Sequence, residues 1–301
     1  AAQGEVLIYT GNVGWIDPGA AAVQAQICAN KLDALGISYT WYQSDLDKED
    51  VADWVSAVTD DGNKDVLILY GYFPESIYPS GNLEPDGSTA ESFIESTDGD
   101  LIINHADWMF YVTLPAVNGA AGLQNMMDIP AITMTDDNTP MTVTAEGKSV
   151  APSLSAFLSD RPFHVDELAG NWFVEAALAE NGSGTRADPV IVRDGNLGRL
   201  APVMQANFQD DPKGAVAAEI VAWLYGIDRG GPEQMGILGQ AIAFQDQVME
   251  LSAQIQDATG SPSLAAAATT VSLQTDSATG VFDTAPDGSF DGSVTSVIVP
   301  A

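Results

Sequence analysis

The stretch Glu5-Val-Leu-Ile-Tyr-Thr10 decides how the first half of this chain folds. Its four apolar residues are followed at once by Gly11, which is the pattern of a short, fully buried strand. Asp17 and Pro18 come next, and this pair is typical of a helix start because Asp caps the first turn and Pro fits within it. The sequence therefore predicts a strand, a loop and a helix in succession.

The helix that begins at Pro18 is expected to bury one face and to end at Gly36. The residues assigned to that face are Val23, Ile27, Cys28, Leu32 and Leu35. Because Cys28 is the single cysteine and belongs to this apolar face, we interpret it as a core side chain rather than a nucleophile.

The same alternation continues along the chain as far as residue 104. The predicted segments are a strand at 37–42, a helix at 48–58, a strand at 65–71, a helix at 88–95 and a strand at 100–104. Alternating strands and helices form a parallel sheet with helices on both faces. We therefore expect an α/β fold.

The middle of the chain is less regular but completes the same domain, expected at residues 1–228. The predicted segments are strands at 131–134 and 141–144, a turn at 145–148, a helix at 165–180, strands at 189–193 and 199–206, and a helix at 211–225.

Beyond Arg229 the chain contains no further Lys or Arg, which indicates a second unit, a C-terminal appendage at residues 229–301. Residues 232–259 are predicted to form one long helix, and residues 265–301 a strand-forming tail. Along the helix, apolar residues recur at alternating steps of four and three, as in a coiled coil. They include Ile237, Ala241, Phe244, Val248, Leu251 and Ile255. This seam packs either on its own domain or on another chain.

The charge of the chain limits its partners. Asp and Glu number 42 against 10 Lys and Arg, a formal net charge of -32. A polyanion repels nucleic acid and anionic lipid, so the expected ligand is neutral or cationic. Hydrophobic residues make up 46% of the chain, which favours a folded acidic protein, as in a halophilic organism, over a disordered tail.

Two further expectations concern the setting of the protein. The sequence begins Ala1-Ala2-Gln3-Gly4, as a secreted or cell-surface protein would after removal of its signal peptide. No apolar run is long enough for a membrane span.

The loops after the predicted strands combine aromatic, amide and acidic side chains. They are Asn12 and Trp15, then Tyr72, Phe73, Glu75 and Tyr78, then Asn104, His105, Asp107 and Trp108. Ligands of an open parallel sheet bind beyond the carboxyl ends of its strands. Because sugars stack on aromatic rings and bond to amides and carboxylates, we expect these residues to bind a carbohydrate or another neutral small molecule. The alternative is that the aromatic rings pack the loops.

Both histidines occur in the same local pattern, His105-Ala-Asp107 and His164-Val-Asp166. Within a strand each pair would share a face, so a carboxylate could orient each imidazole as a base or as a metal ligand. With two His and one Cys we expect no zinc site and no cofactor. Calcium at Asp283, Asp287 and Asp291 is a weaker alternative to a solvated turn.

Several segments resemble the ThuA-like (trehalose-utilisation) branch of the class I glutamine amidotransferase-like superfamily. They are 6–10, 98–105, 166–168, 189–193, Gly198-Arg199 and Ala222-Trp223-Leu224. The resemblance covers about residues 5–226. It implies a flavodoxin-like sandwich, His105 at the position of the family's strand-end His, and a link to sugars or sugar derivatives.

The chain also departs from the family's pattern. The His-containing loop after the first strand is replaced by Gly11-Asn-Val-Gly-Trp15, and the usual Gly-His by Ala206-Asn207-Phe208. Glutaminase activity would need a Cys at a strand-to-helix elbow, but Cys28 lies inside the first helix. We therefore expect a degenerate, non-catalytic domain.

Three hypotheses follow. The first is a secreted module that binds a neutral glycan. The second is a structural subunit of an extracellular assembly, formed through the C-terminal helix and strands. The third is an enzyme acting on a sugar derivative, with His105 as base and Asp107 orienting it.

Overall fold

The structure is a computed structural model that describes residues 4–14, 16–81, 83, 86–105, 118–205, 211–227, 234–238, 252–256, 269–274 and 294–299. The chain divides into two units, residues 1–227 and 228–301.

The first unit contains twelve described strands and six described α-helices. The strands are β1 (Val6–Tyr9), β2 (Thr40–Tyr42), β3 (Val66–Leu69), β4 (Leu101–Asn104), β5 (Thr139–Val143), β6 (Phe157–Ser159), β7 (Phe163–His164), β8 (Trp172–Ala177), β9 (Ala179–Glu180), β10 (Arg186–Ala187), β11 (Val190–Asp194) and β12 (Arg199–Pro202). The helices are α1 (Pro18–Ala34), α2 (Lys48–Val58), α3 (Thr89–Ile94), α4 (Ala120–Met126), α5 (Ala145–Val150) and α6 (Lys213–Leu224).

A mixed, mostly parallel sheet of seven strands forms the centre of this unit, in the order β2-β1-β3-β4-β12-β11-β8. The first five of these strands are parallel, whereas β11 is antiparallel to both of its neighbours. A second, antiparallel sheet has the order β6-β5-β9-β10-β7. The expected α/β class is therefore present, with an antiparallel extension at one side.

The central strands are buried on both faces because their residues alternate between two cores. Val6 and Ile8 belong to one hydrophobic cluster, which also includes residues of α1 and α6. Leu7 and Tyr9 belong to a second cluster, with residues of α2 and α3. Successive side chains of a strand point to opposite faces, so a continuous apolar run such as that of β1 supplies both cores at once.

Helix α1 begins and ends where the sequence predicts, but only part of the predicted face is buried, namely Cys28 and Leu32. The Asp17 side chain accepts a hydrogen bond from the Ala20 amide and caps the helix. Val23 and Ile27, which were expected inside, are exposed. The buried stripe instead consists mainly of small residues, namely Ala21, Gln24, Ala25, Cys28, Ala29 and Leu32. The interpretation of Cys28 as a core side chain is confirmed.

Small residues face α6 because the two helices approach closely. A Cβ atom added to Gly214 of α6 would lie 1.9 Å from the Gln24 carbonyl oxygen of α1. The backbones of α1 and α6 therefore meet at Gln24 and Cys28, a face that does not include Val23 or Ile27. Hydrophobicity and helical spacing placed Val23 and Ile27 wrongly because they do not show how near the partner helix lies.

The middle region contains three errors of prediction. Residues 165–180 are not a helix, since they form a 3-10 turn at Val165–Glu167 followed by β8 and β9. Residues 145–148 lie in helix α5 rather than in a turn, and residues 131–134 form no strand. The aromatic and β-branched start of β8, Trp172-Phe-Val174, favours a strand, and its pairing with β11 provides the partner.

The second unit contains four described strands. They are β13 (Gln234–Leu238), β14 (Ser252–Gln256), β15 (Thr269–Gln274) and β16 (Val294–Val299). Strand β13 pairs with β14 and β15 pairs with β16, both antiparallel. The last two lie within the tail that was expected to form strands.

The long helix predicted at 232–259 is wrong for the parts of it that the structure describes. Ile237 lies in β13 and Ile255 lies in β14. Polar and apolar residues alternate along Ser252–Gln256, which is the pattern of a strand. Gly236, near the other end of the predicted helix, disfavours a helix. These signals oppose the coiled-coil spacing on which the prediction was based. The other seam residues, Ala241, Phe244, Val248 and Leu251, lie outside the described residues.

None of the helices in the described part of the chain combines the length and the apolar character that a membrane crossing requires.

Candidate functional site

The carboxyl ends of β1, β3, β4 and β12 meet at one edge of the sheet because these strands are parallel. Each is followed directly by buried polar or aromatic residues. They are Asn12 after β1, Tyr70 and Tyr72 after β3, His105 after β4 and Gln205 after β12. This edge, which we call the carboxyl edge, therefore gathers side chains from four strands.

Hydrogen bonds connect these segments into one network. Asn104 Nδ2 donates to the Gly71 carbonyl at 2.7 Å, and the Tyr72 amide donates to the Asn12 carbonyl at 2.8 Å. Gln205 Nε2 donates to the Asn104 carbonyl at 2.8 Å. The loops after β1, β3 and β12 are thereby fixed to one another around the end of β4.

Gly71 allows the loops after β1 and β3 to touch. Its φ is 141°, and a Cβ atom built there would lie 2.1 Å from the Asn12 carbonyl oxygen. Only glycine fits so close an approach in the left-handed half of backbone space. The contact brings Asn12 next to the end of β3.

His105 is completely buried at this edge. Its Nδ1 lies 3.0 Å from the Val203 carbonyl oxygen, which can only accept a hydrogen bond, so the proton is on Nδ1. Burial lowers the pKa of His105 well below its usual value, and the nearby charge of Lys213 lowers it further. The ring is therefore neutral at physiological pH, and Nε2 carries a free lone pair.

Four buried acceptors at this edge have no hydrogen-bond partner among the residues that the structure describes. They are Asn12 Oδ1, Asn104 Oδ1, His105 Nε2 and Gln205 Oε1. In Asn104 and Gln205 a backbone carbonyl accepts from the NH₂ group, so the oxygen and nitrogen cannot be exchanged. An unpaired buried acceptor costs about 1–3 kcal/mol. The carboxyl edge thus concentrates unused capacity to accept hydrogen bonds.

A buried carboxylate lies beside this network. Asp188 Oδ1 accepts the Met204 amide, and its Oδ2 accepts the Gln205 amide and the Ser159 hydroxyl, each at 2.6 Å. Burial raises the pKa of Asp188 to about 7, opposed by these hydrogen bonds and by the charge of Lys213. Lys213 is itself buried and pairs with Asp211 at 3.2 Å.

The residues predicted for the site lie in three different places. Asn12, Tyr72, Asn104 and His105 are brought together at the carboxyl edge, all buried. Phe73 and Tyr78 are core residues whose ring centroids are 6.4 Å apart. Their faces are therefore covered, as the alternative of loop packing expects.

Glu75 is exposed and lies 3.6 Å from Lys48, away from the buried network. Trp15, Asp107 and Trp108 lie outside the described residues, and so do Asp283, Asp287 and Asp291 of the proposed calcium loop. Within the described ranges, no three His, Cys, Asp or Glu side chains are grouped as a metal site would need.

His164 contacts other carboxylates than the one predicted. Its Nε2 lies 3.0 Å from Asp137, and its Nδ1 lies 3.1 Å from Glu167. Asp166 instead pairs with Arg186 at 2.7 Å. The shared-face argument failed because the strand ends at His164, where the chain enters a 3-10 turn that directs Asp166 elsewhere.

Sequence reasoning missed Ser159, Asp188, Gln205 and Lys213. Lys213 and Asp188 could have been noticed, because each is a charged residue at the border of an apolar element, α6 or β11. Ser159 and Gln205 carry no such signal. Their positions depend on how the second sheet meets the end of β12.

Comparisons with known proteins give little further guidance. No protein-family model matches the chain, and no curated protein matches it. Among solved structures, a protein described as ThuA-like from Bacteroides uniformis has a TM-score of 0.40 at 12% identity, covering 74% of this chain and 92% of its own. A cold-adapted β-galactosidase from Rahnella sp. R3 has a TM-score of 0.35 at 14% identity, covering 100% of this chain and 40% of its own. Similarity at this level does not assign the chain to a family.

Proposed function

We propose that this protein binds a small, hydroxyl-rich, uncharged ligand, such as a carbohydrate or a sugar derivative, at the carboxyl edge of its central sheet. The single observation that carries the proposal is the set of unpartnered acceptors on Asn104, His105 and Gln205. Their orientations are fixed by backbone carbonyls, so a matching ligand must present hydrogen-bond donors. Hydroxyl groups meet that requirement.

The charge of the protein supports an uncharged ligand. A net charge of -32 repels anions, and the acceptors would face the oxygens of a carboxylate or phosphate with no donor between them. The place supports it as well. Asn104, His105 and Gln205 lie at or follow the carboxyl ends of the neighbouring parallel strands β4 and β12, and ligands of open parallel sheets bind beyond the carboxyl ends of the strands.

In this proposal the domain is a degenerate ThuA-like scaffold of a secreted or cell-surface protein in a saline habitat. The acidic composition supports a saline habitat. At 1 M salt the Debye length is roughly 3 Å, so repulsion between the many carboxylates is largely screened. Binding does not depend on stacking by Phe73 or Tyr78, because both lie in the core.

Titration calorimetry of the full chain tests the proposal. Glucose, myo-inositol and a neutral disaccharide are compared with glucuronate, and binding is repeated with Gln205→Met. We expect at least one neutral compound to bind, glucuronate to bind more weakly, and Gln205→Met to weaken binding by roughly tenfold, the equivalent of one hydrogen bond.

A matched control is Gln124→Met, because Gln124 Nε2 also donates to a backbone carbonyl, that of Ile132, but away from the carboxyl edge. Its binding should equal that of the unmodified protein. If no compound bound, or if both Gln variants bound like the unmodified protein, the acceptors would be filled by buried water and the proposal would fail.

A second candidate is an enzyme in which His105 Nε2 removes a proton from a sugar derivative. The bare lone pair and the neutral ring favour it. Because the pKa of His105 is lowered, the basic form of the ring is present at neutral pH. Products are sought by NMR for each compound that binds. Unchanged turnover in His105→Gln would exclude this role.

A third candidate is a subunit of an assembly. In the described part of residues 228–301, β13 and β14 pair only with each other, and so do β15 and β16. Isolated two-stranded sheets are marginally stable and leave edges that can pair with another chain. Light scattering of the full chain over a hundredfold range of concentration tests this. A monomer throughout would exclude it.

A further inference from the structure

We infer that Asp188 is a positioning residue for the carboxyl edge: its carboxylate fixes the backbone at Met204 and Gln205, and thereby fixes the proton on Nδ1 of His105. The inference rests on the proposed function only in that this edge is the proposed ligand site. The geometry that carries it does not involve a ligand.

The first step is the strained backbone at Met204. Its φ is 52°, in the left-handed region that residues other than glycine rarely adopt. Such a conformation persists only where surrounding contacts enforce it. The flanking contacts include the two hydrogen bonds to Asp188, which binds the amides of Met204 and Gln205 at 2.6 Å, and those of the Gln205 carbonyl with the amides of Asp160 and Arg161.

The second step joins this segment to His105. Val203 directly precedes Met204, and its carbonyl accepts the hydrogen bond from His105 Nδ1. The Val203 amide donates to the Asn104 carbonyl at 3.0 Å, and Gln205 Nε2 donates to the same oxygen at 2.8 Å. The direction of the Val203 carbonyl therefore depends on the turn that Asp188 stabilises.

The third step explains why a carboxylate is needed. The Met204 amide binds Oδ1, and the Gln205 amide binds Oδ2, so both oxygens must accept. An asparagine offers one acceptor and turns an NH₂ group towards the other backbone N-H. Asp188→Asn therefore removes one of the two restraints on Met204 while the size of the side chain is kept.

The opposing interpretation is that Asp188 merely stabilises the core. Both interpretations predict that Asp188→Asn lowers stability. The two interpretations make different predictions for the tautomer of His105, because a contact that only stabilises the core does not determine which ring nitrogen carries the proton.

The test is ¹⁵N NMR of the two histidine rings in the full chain. The chain has two histidines, so a His164→Gln variant assigns both rings. In the unmodified protein, at a pH above the pKa of Asp188, we expect His105 to carry its proton on Nδ1, with a bare Nε2. In Asp188→Asn we expect a mixture of the two tautomers. A folded Asp188→Asn variant with the unmodified ring pattern would overturn the inference.

Ser159→Ala is the matched control. It removes the third hydrogen bond to Asp188 but leaves both backbone amides bound, so the His105 pattern should stay as in the unmodified protein. If Ser159→Ala produced as much of a tautomer mixture at His105 as Asp188→Asn, this would also count against the inference, because any change near Asp188 would then alter the tautomer.

If Asp188→Asn does not fold, a pH titration of the unmodified protein replaces it. Burial raises the pKa of Asp188 to about 7, so its carboxyl group titrates within the folded range. The charged group that influences both Asp188 and His105 is Lys213, which in turn interacts with Asp211 and Asp160. The ring signals of His105 should shift with the same midpoint as the Asp188 carboxyl carbon. Flat ring signals would overturn the inference.

The two proposals fail separately. The ring measurement needs no ligand, so an absence of binding in calorimetry leaves the role of Asp188 intact. Conversely, if the His105 tautomer does not change in Asp188→Asn, the acceptors of Asn104 and Gln205 are still available to a ligand.

Discussion

The amino edge is the opposite edge of the central sheet, where the parallel strands begin. Buried charged side chains there form hydrogen bonds within the chain, whereas buried acceptors at the carboxyl edge lack them among the described residues. Arg199 donates to Glu175 and to the Gly99 carbonyl, and Asp100 accepts from Ser96 and from the Asp65 amide. Asp65 Oδ2 is the described exception at the amino edge. At the carboxyl edge four acceptors have no partner within the described part of the chain.

This difference separates stability from binding. Polar groups that are paired within the chain contribute to folding, while unpaired ones cost free energy that is recovered only when another molecule supplies the missing donors. Substitutions at the amino edge should therefore be costly for folding. Substitutions that remove an unpaired acceptor at the carboxyl edge should cost little stability but affect ligand binding.

The largest effect is expected from Glu175→Leu. This change leaves Arg199, which is 4% exposed, and Arg193 without their shared carboxylate. An uncompensated buried charge costs about 3–5 kcal/mol. Urea unfolding should show that loss as a lower midpoint with an unchanged slope.

The control for this change is Lys48→Ala, which breaks the exposed ion pair with Glu75. Exposed pairs contribute about 0–1 kcal/mol. If Glu175→Leu lost no more stability than Lys48→Ala, the amino edge would not be the stabilising region that the comparison describes.

An intermediate effect is expected from the buried carboxyl groups of the amino edge. Burial raises the pKa of Asp100 to about 7 and that of Asp65 to about 6, against hydrogen bonds that lower both. The folded state binds these protons more tightly than the unfolded state. The contribution of the two groups to the unfolding free energy is therefore greatest below about pH 4 and falls as the pH rises to about 7.

Unfolding free energies at pH 5 and pH 8 measure this dependence. Asp100→Asn can keep the hydrogen bonds to the Asp65 amide and to Ser96, and it removes one titrating group. The loss of stability between the two pH values should then shrink by on the order of 2 kcal/mol. Asp53→Asn, at an exposed position, removes the same charge and should leave the loss nearly unchanged. If Asp100→Asn and Asp53→Asn lost the same unfolding free energy between pH 5 and pH 8, Asp100 would not be the source of the pH dependence.

The smallest effect on stability is expected from Gln205→Met at the carboxyl edge. It gives up one hydrogen bond, a loss of about 1 kcal/mol, but it also removes an unpaired buried acceptor, a gain of similar size. The net change should lie within about 1 kcal/mol of zero in urea unfolding. Gln124→Met loses a similar bond without that gain, so it should be the less stable of the two. The reverse order would contradict the comparison.

Much of the first half of the fold can be read from the sequence because its signals are local. Helices α1 and α2 begin and end where the sequence predicts, and β3, α3 and β4 differ from prediction only at their ends. Here apolar runs alternate with capped helices, and Ser88 caps α3 with the help of Glu91. Local patterning and tertiary structure therefore agree.

The errors occur where long-range contacts decide. The residues of β8 form a strand because β11 lies beside them, and Val23 is exposed because α6 meets α1 at Gln24 and Cys28 instead. At the candidate site, the strand-end positions of Asn12, Asn104 and His105 were visible in the sequence. The role of Gln205 and the partners of Asp188 were not, because residues far apart in the chain bring them together.

The division of the core by the sheet has a consequence for how this protein can change. Val6 and Leu7 are neighbours in sequence, yet they pack against different helices on opposite sides of the strands. A substitution under α2 can be compensated by its neighbours there, while the packing under α1 and α6 stays as it was. The two layers can therefore diversify separately, provided that the strand backbones and the polar edge between them keep their places.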